Sequence, residues 1–558
     1  MTPANESHSA EAAPGALTLP GQPSATEQWM WQRVCEGAIV DFNIRDGKVL
    51  DPSDATGWDD TRTVSSTFLE TVLLQEPYRS ALPRQGVCIV GAWFEAALVL
   101  EDARLGHTLW LDRARFQQDV QLSSLESIGS LSLEGSYFAR SLAISLAQIE
   151  GQLVLRGTHC TDRLDLSGAR IGSRLVLTGA HCIGLLDLTR LEVKRDMFMD
   201  TEGDLTAQFA AVDLSGAHIE GYLNLTGAQC TGRLDMTGLD VKDGLFMTAQ
   251  FAEVDLSDNQ IGGKLDLTVA HCTGPLNLRS LHVAGHVLMS YTEVAHAISL
   301  IFARIDGSFH LFNSQVASLD LTGASLQGEL HLGAVNEDKS QWAEDAQLVL
   351  RNTTIGALQC PPSLEAWPAL ELSGCTYRQL GGISQADSGT EMADRSPAWF
   401  IDWLEKDRTF SPQPYHQLAS VLRTMGHAET ADAVLFASKE RERGAAGRWT
   451  PKWWGMSLLK WTIGYGYGYR YFYALWWVLG ITLLGVLMLE TTSAGQAFSL
   501  AGKLAYSFDL LLPIIELDKR HSLEAIDGWQ RYYFYVHELL GYVLGSFIVA
   551  GLAGLTKK

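Results

Sequence analysis

Residues 164–188 read LDLSGARIGSRLVLTGAHCIGLLDL, and this stretch decides the fold because apolar positions recur in it every 11 residues. Two series with this period run in phase through the stretch and extend beyond its ends. The first is Leu155, Leu166, Leu177 and Leu188, and the second is Cys160, Ile171, Cys182 and Val193. A short, constant period is typical of a solenoid, in which each repeat packs mainly on its neighbours.

The same period returns after a short insertion, with a longer repeat lying over it. The later positions form two sets: Leu214, Leu225, Met236 and Met247, and Leu256, Leu267, Leu278 and Met289. A shift of 42 residues relates these two sets. Weaker repeats run from about Cys88 to Leu332, and irregular coils are expected to continue to Gly381.

Each 11-residue unit contains an apolar-polar-apolar triplet such as residues 164–166. Because side chains alternate along a strand, the two leucines share one face and Asp165 lies on the other, which predicts one short strand per unit. Glycines such as Gly168 and Gly179 follow the triplets, where glycine suits a sharp corner. Since 11 residues are too few to enclose a filled cross-section, we assign two units, about 22 residues, to each coil.

This pattern resembles the right-handed parallel β-helix of pentapeptide-repeat proteins, although their strict five-residue period is absent. The expected fold class is therefore mainly β: a right-handed parallel β-helix with helical caps, followed by an α-helical two-transmembrane hairpin. In the N-terminal region, Phe68, Val72 and Leu73 have helical spacing, which predicts a helix that caps the first coil.

Changes in composition and apolar spacing along the sequence predict six segments. They are a disordered leader at 1–30, a capping region at 31–87, the solenoid at 88–381, a linker at 382–395, a helical hairpin at 396–447 and a two-helix membrane domain at 448–558. The hairpin resembles a single tetratricopeptide-type pair, with a helix stop at Gly426. Its role is either a lid on the last coil or a peptide-binding site.

Two apolar stretches, Tyr471 to Leu489 and Val536 to Leu555, are each about long enough to cross ~30 Å of hydrocarbon. Basic residues precede the first stretch and follow the second, whereas the loop between them is acidic on balance. Because orientation follows the basic residues, both termini and the solenoid are expected on the cytoplasmic side of the inner membrane. The predicted protein is thus multi-pass, with lipid as one partner.

Between these stretches, the apolar segment from Leu504 to Ile515 is too short to span. The order helix, half-helix, helix resembles a two-transmembrane ion-channel pore module, but the TVGYG-type filter of potassium channels is absent. The GYGYGY at 464–469 precedes the first stretch, so we interpret it as an aromatic turn. The candidate pore or gating residues are Asp509, Pro513, Glu516, His537 and Glu538.

An alternative for His537 and Glu538 is simple hydration at the membrane boundary. Small residues in the second stretch, such as Gly541 and Gly545, match a motif for close helix packing and suggest a homo-oligomer.

Charge and cysteine usage exclude several classes of function. A net charge of -22 argues against general binding to nucleic acid or anionic membranes, so nucleic acid is not an expected partner. Eight cysteines without a CxxC or a compact Cys/His cluster predict no metal and no cofactor. In pairs such as His159-Cys160, neighbouring residues face opposite ways, which favours an apolar cysteine ladder over a metal site.

Four short segments are also similar to a bacterial group often labelled membrane-associated oxidoreductases. They are WDDTRT at 58–63, PYHQLASVLRTMGH at 414–427, GYGYRY at 466–471 and SFDLLLPIIELD at 507–518. The resemblance implies redox activity, yet the sequence holds no GxGxxG between a strand and a helix, no CxxC and no haem-type ligand set. No catalytic residue is therefore assigned.

Three hypotheses follow from the sequence. The first is a membrane-anchored, non-catalytic scaffold or recognition module with a cytoplasmic protein partner. The second is an oligomeric pore gated through the solenoid, and the third is a solenoid enzyme.

Overall fold

Residues 87–380 wind into a parallel β-solenoid of about 13 turns. The structure is a computed structural model that describes residues 19, 22–333, 341–382, 392–512, 517, 518, 521, 523 and 526–555. Residues 1–18 of the predicted leader and 383–391 of the predicted linker therefore lie outside it. The chain divides into two large structural units, Met1–Met392 and Ala393–Lys558, which are distinct from the 11-residue repeat units.

The strands of the first unit form two parallel sheets, with 25 and 19 strands among the described residues. The first sheet contains Val40–Asp41, Val87–Val90, Arg104–Leu105, Leu109–Asp112, Glu126–Ser127, Leu131–Ser132, Gln148–Ile149, Leu153–Val154, Arg170–Ile171, Leu175–Val176, Glu192–Val193, Met197–Phe198, His218–Ile219, Leu223–Asn224, Asp240–Val241, Leu245–Phe246, Gln260–Ile261, Leu265–Asp266, His282–Val283, Val287–Ser290, Arg304–Ile305, Phe309–Phe312, Ser325–Leu332, Thr354–Gln359 and Thr376–Leu380. The second sheet contains Trp93–Phe94, Leu98–Val99, Arg115–Phe116, Val120–Gln121, Tyr137–Phe138, Leu142–Ala143, His159–Cys160, Leu164–Asp165, His181–Asp187, Gln208–Asp213, Gln229–Asp235, Gln250–Asp255, His271–Cys272, Leu276–Asn277, Glu293–Ser299, Gln315–Asp320, Gln341–Trp342, Gln347–Val349 and Ala369–Glu371.

The strand register confirms that two 11-residue units make one coil. Leu131 pairs with Leu153, and Leu153 pairs in turn with Leu175, so equivalent residues lie 22 apart. Each unit holds two short strands, however, and not the single strand that the sequence predicted. The chain bends between residues 149 and 153, so one unit turns two apolar side chains inward on separate strands. The handedness of the solenoid stays a prediction.

Stacked apolar side chains fill the inside of the coils. The rings of Phe94, Phe116 and Phe138 stack with centroids 4.9 Å apart and nearly parallel planes. Cys160 and Cys182 occupy the same position in the next two coils and are fully buried. The predicted inward placement of the cysteines is thus confirmed, but Phe209 separates Cys182 from Cys230 in the stack. Burial raises the pKa of Cys230 to about 12 and keeps its thiol protonated.

Charged side chains on the outside pair in the same register as the core. On the first sheet, Arg104 lies 2.8 Å from Glu126, and Arg170 lies 3.2 Å from Glu192. On the second sheet, Arg163 bridges the carboxylates of Asp165 and Asp187, which sit in neighbouring coils. Exposed pairs contribute little stability singly, but opposite charges in register disfavour a slipped pairing.

At the corners between the sheets, residues with positive φ recur every 11 residues, as at 135, 146, 157 and 168. Some of these residues are glycines, and others are bulky, such as Leu146 with φ +57°. Five of these side chains lie against a corner glycine of the following coil, whereas other corners, such as Val269 and Tyr291, stack without a glycine. The pairs are Arg113 with Gly135, Leu146 with Gly168, Arg190 with Gly216, Phe302 with Gly323 and Asn352 with Gly374.

Four helices belong to the N-terminal cap: α1 (Ala25–Cys35), α2 (Phe42–Asp46), α3 (Ser66–Leu74) and α4 (Tyr78–Ala81). Helix α3 is the predicted capping helix, and Phe68, Val72 and Leu73 are buried. Arg62, in the WDDTRT segment, is also buried and donates hydrogen bonds to Asn43, Asp46 and the Lys48 carbonyl. These bonds hold the cap together.

The second unit is helical. Its α-helices are α5 (Pro397–Glu405), α6 (Pro412–Thr424), α7 (Ala428–Ala445), α8 (Pro451–Ile463), α9 (Tyr473–Leu489), α10 (Ser493–Gln496), α11 (Leu500–Leu511) and α12 (Gln530–Leu555). Short 3₁₀ turns occupy Met392–Asp394, at the boundary between the two units, and Gly464–Gly466 and Gly468–Phe472 within the helical unit, so the GYGYGY segment is the turn that its sequence predicted. Across the residues that the structure describes, no helix is both long enough and apolar enough to cross a membrane. The predicted two-span hairpin is unconfirmed.

Replacing Val269 by glycine is expected to stabilise the solenoid. Val269 has φ +60° and is 64% exposed, so its side chain is strained while contributing little burial. Left-handed backbone costs a residue with a Cβ roughly 1–2 kcal/mol, and glycine avoids that cost. We expect Val269→Gly to raise the free energy of unfolding by about 1 kcal/mol in urea titrations.

Val99 is the matched control, because it is also exposed but lies in a regular strand. Val99→Gly should destabilise the protein. Equal losses from both substitutions would contradict the assignment of strain to the corner.

Candidate functional site

In the helical unit, α9, α11 and α12 pack against one another. A Cβ at Gly485 of α9 would overlap the Ser507 hydroxyl of α11. Likewise, a Cβ at Gly541 of α12 would overlap the Leu511 carbonyl at the end of α11. Both neighbouring helices therefore approach α11 closely at a glycine. Gly541, which the sequence suggested for packing between copies, makes its close contact within one chain.

Buried polar groups join the three helices. His537 of α12 is 1% exposed, and its Nε2 lies 3.0 Å from the Ser507 carbonyl. Ser507 in turn donates its hydroxyl hydrogen to the Thr482 carbonyl of α9, at 2.8 Å. On its other side, His537 Nδ1 lies 3.3 Å from the Tyr533 hydroxyl. The hydrated alternative for His537 is therefore wrong, whereas Glu538 is half-buried.

Asp509 ties down the chain that follows α11. Its carboxylate accepts the backbone N–H groups of Leu517 and Asp518, at 3.0 and 3.3 Å. It also lies 2.9 Å from His521 Nδ1, and both side chains are buried. Asp509 is therefore a structural clamp. The other two residues predicted in this segment, Pro513 and Glu516, lie outside the described residues.

Ser507, Thr482 and His521 were not predicted as site residues. Ser507 and Asp509 sit on one helix, but their partners are 25 and 12 residues distant along the chain. The available signal was the presence of ionisable residues close to long apolar stretches, and among the described residues it pointed to Asp509, His537 and Glu538 but not to their partners.

Large apolar side chains cover the outside of this helical core. On α9, Trp476, Leu479, Leu483 and Leu487 are exposed at helical spacing. Helix α12 also exposes large apolar residues: Tyr535, Val536, Leu539, Leu540, Tyr542, Val543 and Val549. Residues 473–489 include no Asp, Glu, Lys or Arg. The core thus combines buried apolar side chains and a few buried polar contacts inside with large apolar side chains outside.

Glu440 joins α7, α8 and the aromatic turn. It accepts hydrogen bonds from Arg443 at 2.9 Å, Lys460 at 2.6 Å and the Tyr465 hydroxyl at 2.7 Å. Partial burial opposes its ionisation, but these three donors prevail and lower the pKa of Glu440 to about 2. Glu440 is therefore the anionic centre of this junction.

No protein-family model, no curated protein and no solved structure matches the chain. The site must therefore be interpreted from its geometry.

Acid should lower the free energy of unfolding of the helical unit, because it protonates Glu440. Its pKa in the folded protein lies below the ordinary value of 4.5, so its contribution is full above pH 4.5 and is lost as the pH falls towards 2. Glu440→Gln should lower the unfolding free energy by about 2 kcal/mol at neutral pH, since three charge-assisted bonds are weakened.

The measurement is the unfolding midpoint as a function of pH. Glu429→Gln, at the exposed start of the same helix, is the control and should leave the acid dependence intact. An unchanged pH profile in Glu440→Gln would contradict this role.

Proposed function

We propose that the protein is a non-catalytic scaffold that presents its β-solenoid to a cytoplasmic protein partner from the inner membrane. In this proposal α9, α11 and α12 are seated in lipid. The observation that carries it is the row of large apolar side chains exposed on α9 and α12. Soluble monomers rarely expose contiguous apolar surfaces of this kind, whereas lipid-facing helices do so by design.

The length of α9 bears on how it is seated. Its 17 residues extend over roughly 25 Å, somewhat less than the ~30 Å of hydrocarbon in a typical bilayer. Local thinning of the bilayer or interfacial flanking residues accommodate such a difference at modest cost. Trp476 and Trp477 near the start of the helix suit that interfacial region.

The solenoid has the properties of a presentation surface. Its apolar side chains are stacked inside, and paired strands hold the coils in register. Outside, the side chains are polar and charged in regular rows, as with the aspartates at 165 and 187. The acidic balance of the whole chain favours a partner that offers basic side chains.

Seating in lipid can be tested by vesicle flotation after alkaline extraction. We expect the reconstituted full chain to float with phosphatidylcholine vesicles. The triple variant Leu479→Gln, Leu483→Gln, Leu487→Gln should be lost from them, since each lipid-covered leucine contributes about 1.5–3 kcal/mol.

The matched control changes three exposed apolar residues of the solenoid: Ile128→Gln, Ile183→Gln and Val269→Gln. It should float like the parent chain. Extraction of the parent chain from the vesicles at alkaline pH would contradict the proposal.

A pore is the second candidate function, and the placement of α11 favours it. A short helix packed against two longer ones, with buried Ser507 and His537 at the contact, is the layout expected of a two-helix pore module. Conduction would require several copies of the chain, which is the homo-oligomer suggested by the small residues of α12.

Planar-bilayer recording distinguishes the pore from the scaffold. If the oligomer conducts, Asp509→Asn should abolish or alter the unitary currents, because the clamp on the segment after α11 is weakened. Asp527→Asn, an exposed carboxylate near the start of α12, is the control and should leave them unchanged. Silence from an oligomeric preparation would reject the pore.

A further inference from the structure

Helix α8 exposes a second apolar surface, apart from the core of α9, α11 and α12. Trp454, Leu458 and Trp461 lie at spacings of four and three residues, which places them on one face, and all three are exposed. On the opposite side of the helix, Met456 and Ile463 are buried. α8 thus packs one apolar side against the protein and leaves the side of Trp454, Leu458 and Trp461 uncovered by the described part of the chain.

Two ion pairs fix the orientation of that face. Lys452 lies 2.9 Å from Glu442, and Lys460 lies 2.6 Å from Glu440, both of which belong to α7. Arg443 of α7 also lies over the ring of Trp453, 5.7 Å from its centroid. Because these contacts hold one side of α8 against α7, the tryptophan side cannot turn inwards without breaking them.

The charge around α8 is opposite to that of the chain. Residues 439–470 contain seven basic and two acidic side chains, a local net charge of +5, whereas the whole chain has a net charge of -22. Arg448 is exposed next to Trp449, just before α8 begins. Basic residues next to exposed tryptophans are the combination that suits an anionic lipid surface.

We infer that α8 lies in the headgroup region of an anionic bilayer, with Trp454, Leu458 and Trp461 inserted and Arg448 at the phosphates. This inference rests on the proposed seating of the helical unit in lipid and adds a second, interfacial contact. A symmetric contact of α8 with the same helix of a second copy is a poorer alternative, because two segments of net charge +5 would meet and repel each other.

The experiment places a polarity-sensitive dye on Leu458→Cys, in a Cys35→Ser background because the other seven native cysteines are buried. Ile128→Cys on the solenoid is the matched position, since Leu458 and Ile128 are 62% and 66% exposed. In vesicles that contain phosphatidylserine, an aqueous quencher should reach the dye at 458 several-fold less than the dye at 128.

A charge variant tests the headgroup contact. Arg448→Gln should shift the equilibrium of α8 away from the anionic surface by about fivefold, and quenching at 458 should rise accordingly. In phosphatidylcholine alone the same variant should match the parent. Arg170→Gln with Lys194→Gln, two exposed and ion-paired cations of the solenoid, should change nothing.

Flotation of the same samples separates the two proposals. A chain that floats while the dye at 458 is quenched as fully as at 128 overturns the interfacial role of α8 and leaves the proposed function standing. A chain that fails to float overturns both. A dye that becomes shielded without vesicles, in proportion to protein concentration, would show that a second copy covers α8 and would also overturn the inference.

Discussion

In-register stacking of inward side chains across 22-residue coils is the constraint on which the solenoid depends. A slip of one residue would turn each apolar side chain outwards, so additions and deletions must be absorbed elsewhere in the coil. Between Glu202 and Leu205 the chain makes a short excursion, and Leu205 folds back against the corner at Gly179. Where a coil loses one residue, as between Phe209 and Cys230, a local irregularity restores the pairing.

The corners show a further consequence of direct stacking. In five places a corner side chain lies over a glycine of the next coil, and Leu146 over Gly168 is an example. Gly168 thus leaves space for the side chain of Leu146, 22 positions earlier, and also adopts a backbone conformation with positive φ. Elsewhere corners without glycine stack on one another, as Val269, Tyr291 and Asn313 do.

The sequence predicted whatever depends on period and composition. The solenoid, its 22-residue coil, the inward cysteines and helices near 471–489 and 536–555 follow from apolar spacing alone. The second strand of each unit was missed because two-residue strands have no period of their own. The partners of Asp509 and Glu440 were missed for another reason: His521 and Lys460 meet them only after helices and turns have placed them together.

Both units bury apolar side chains, but among the described residues only the helical unit also exposes a row of large ones. In the solenoid, leucines stack inside and charges pair outside, as water requires. In the helical core, Ser507, His537 and Asp509 are buried, whereas Leu479, Leu483 and Leu487 face outwards. Apolar side chains on the outside carry a free-energy cost in water, and buried ionisable groups need the partners that Ser507 and His521 supply. An apolar medium around α9 and α12 removes the first cost and makes the internal polar bonds the natural contacts between helices. The proposed seat in a bilayer therefore accounts for both features of the helical core with one assumption.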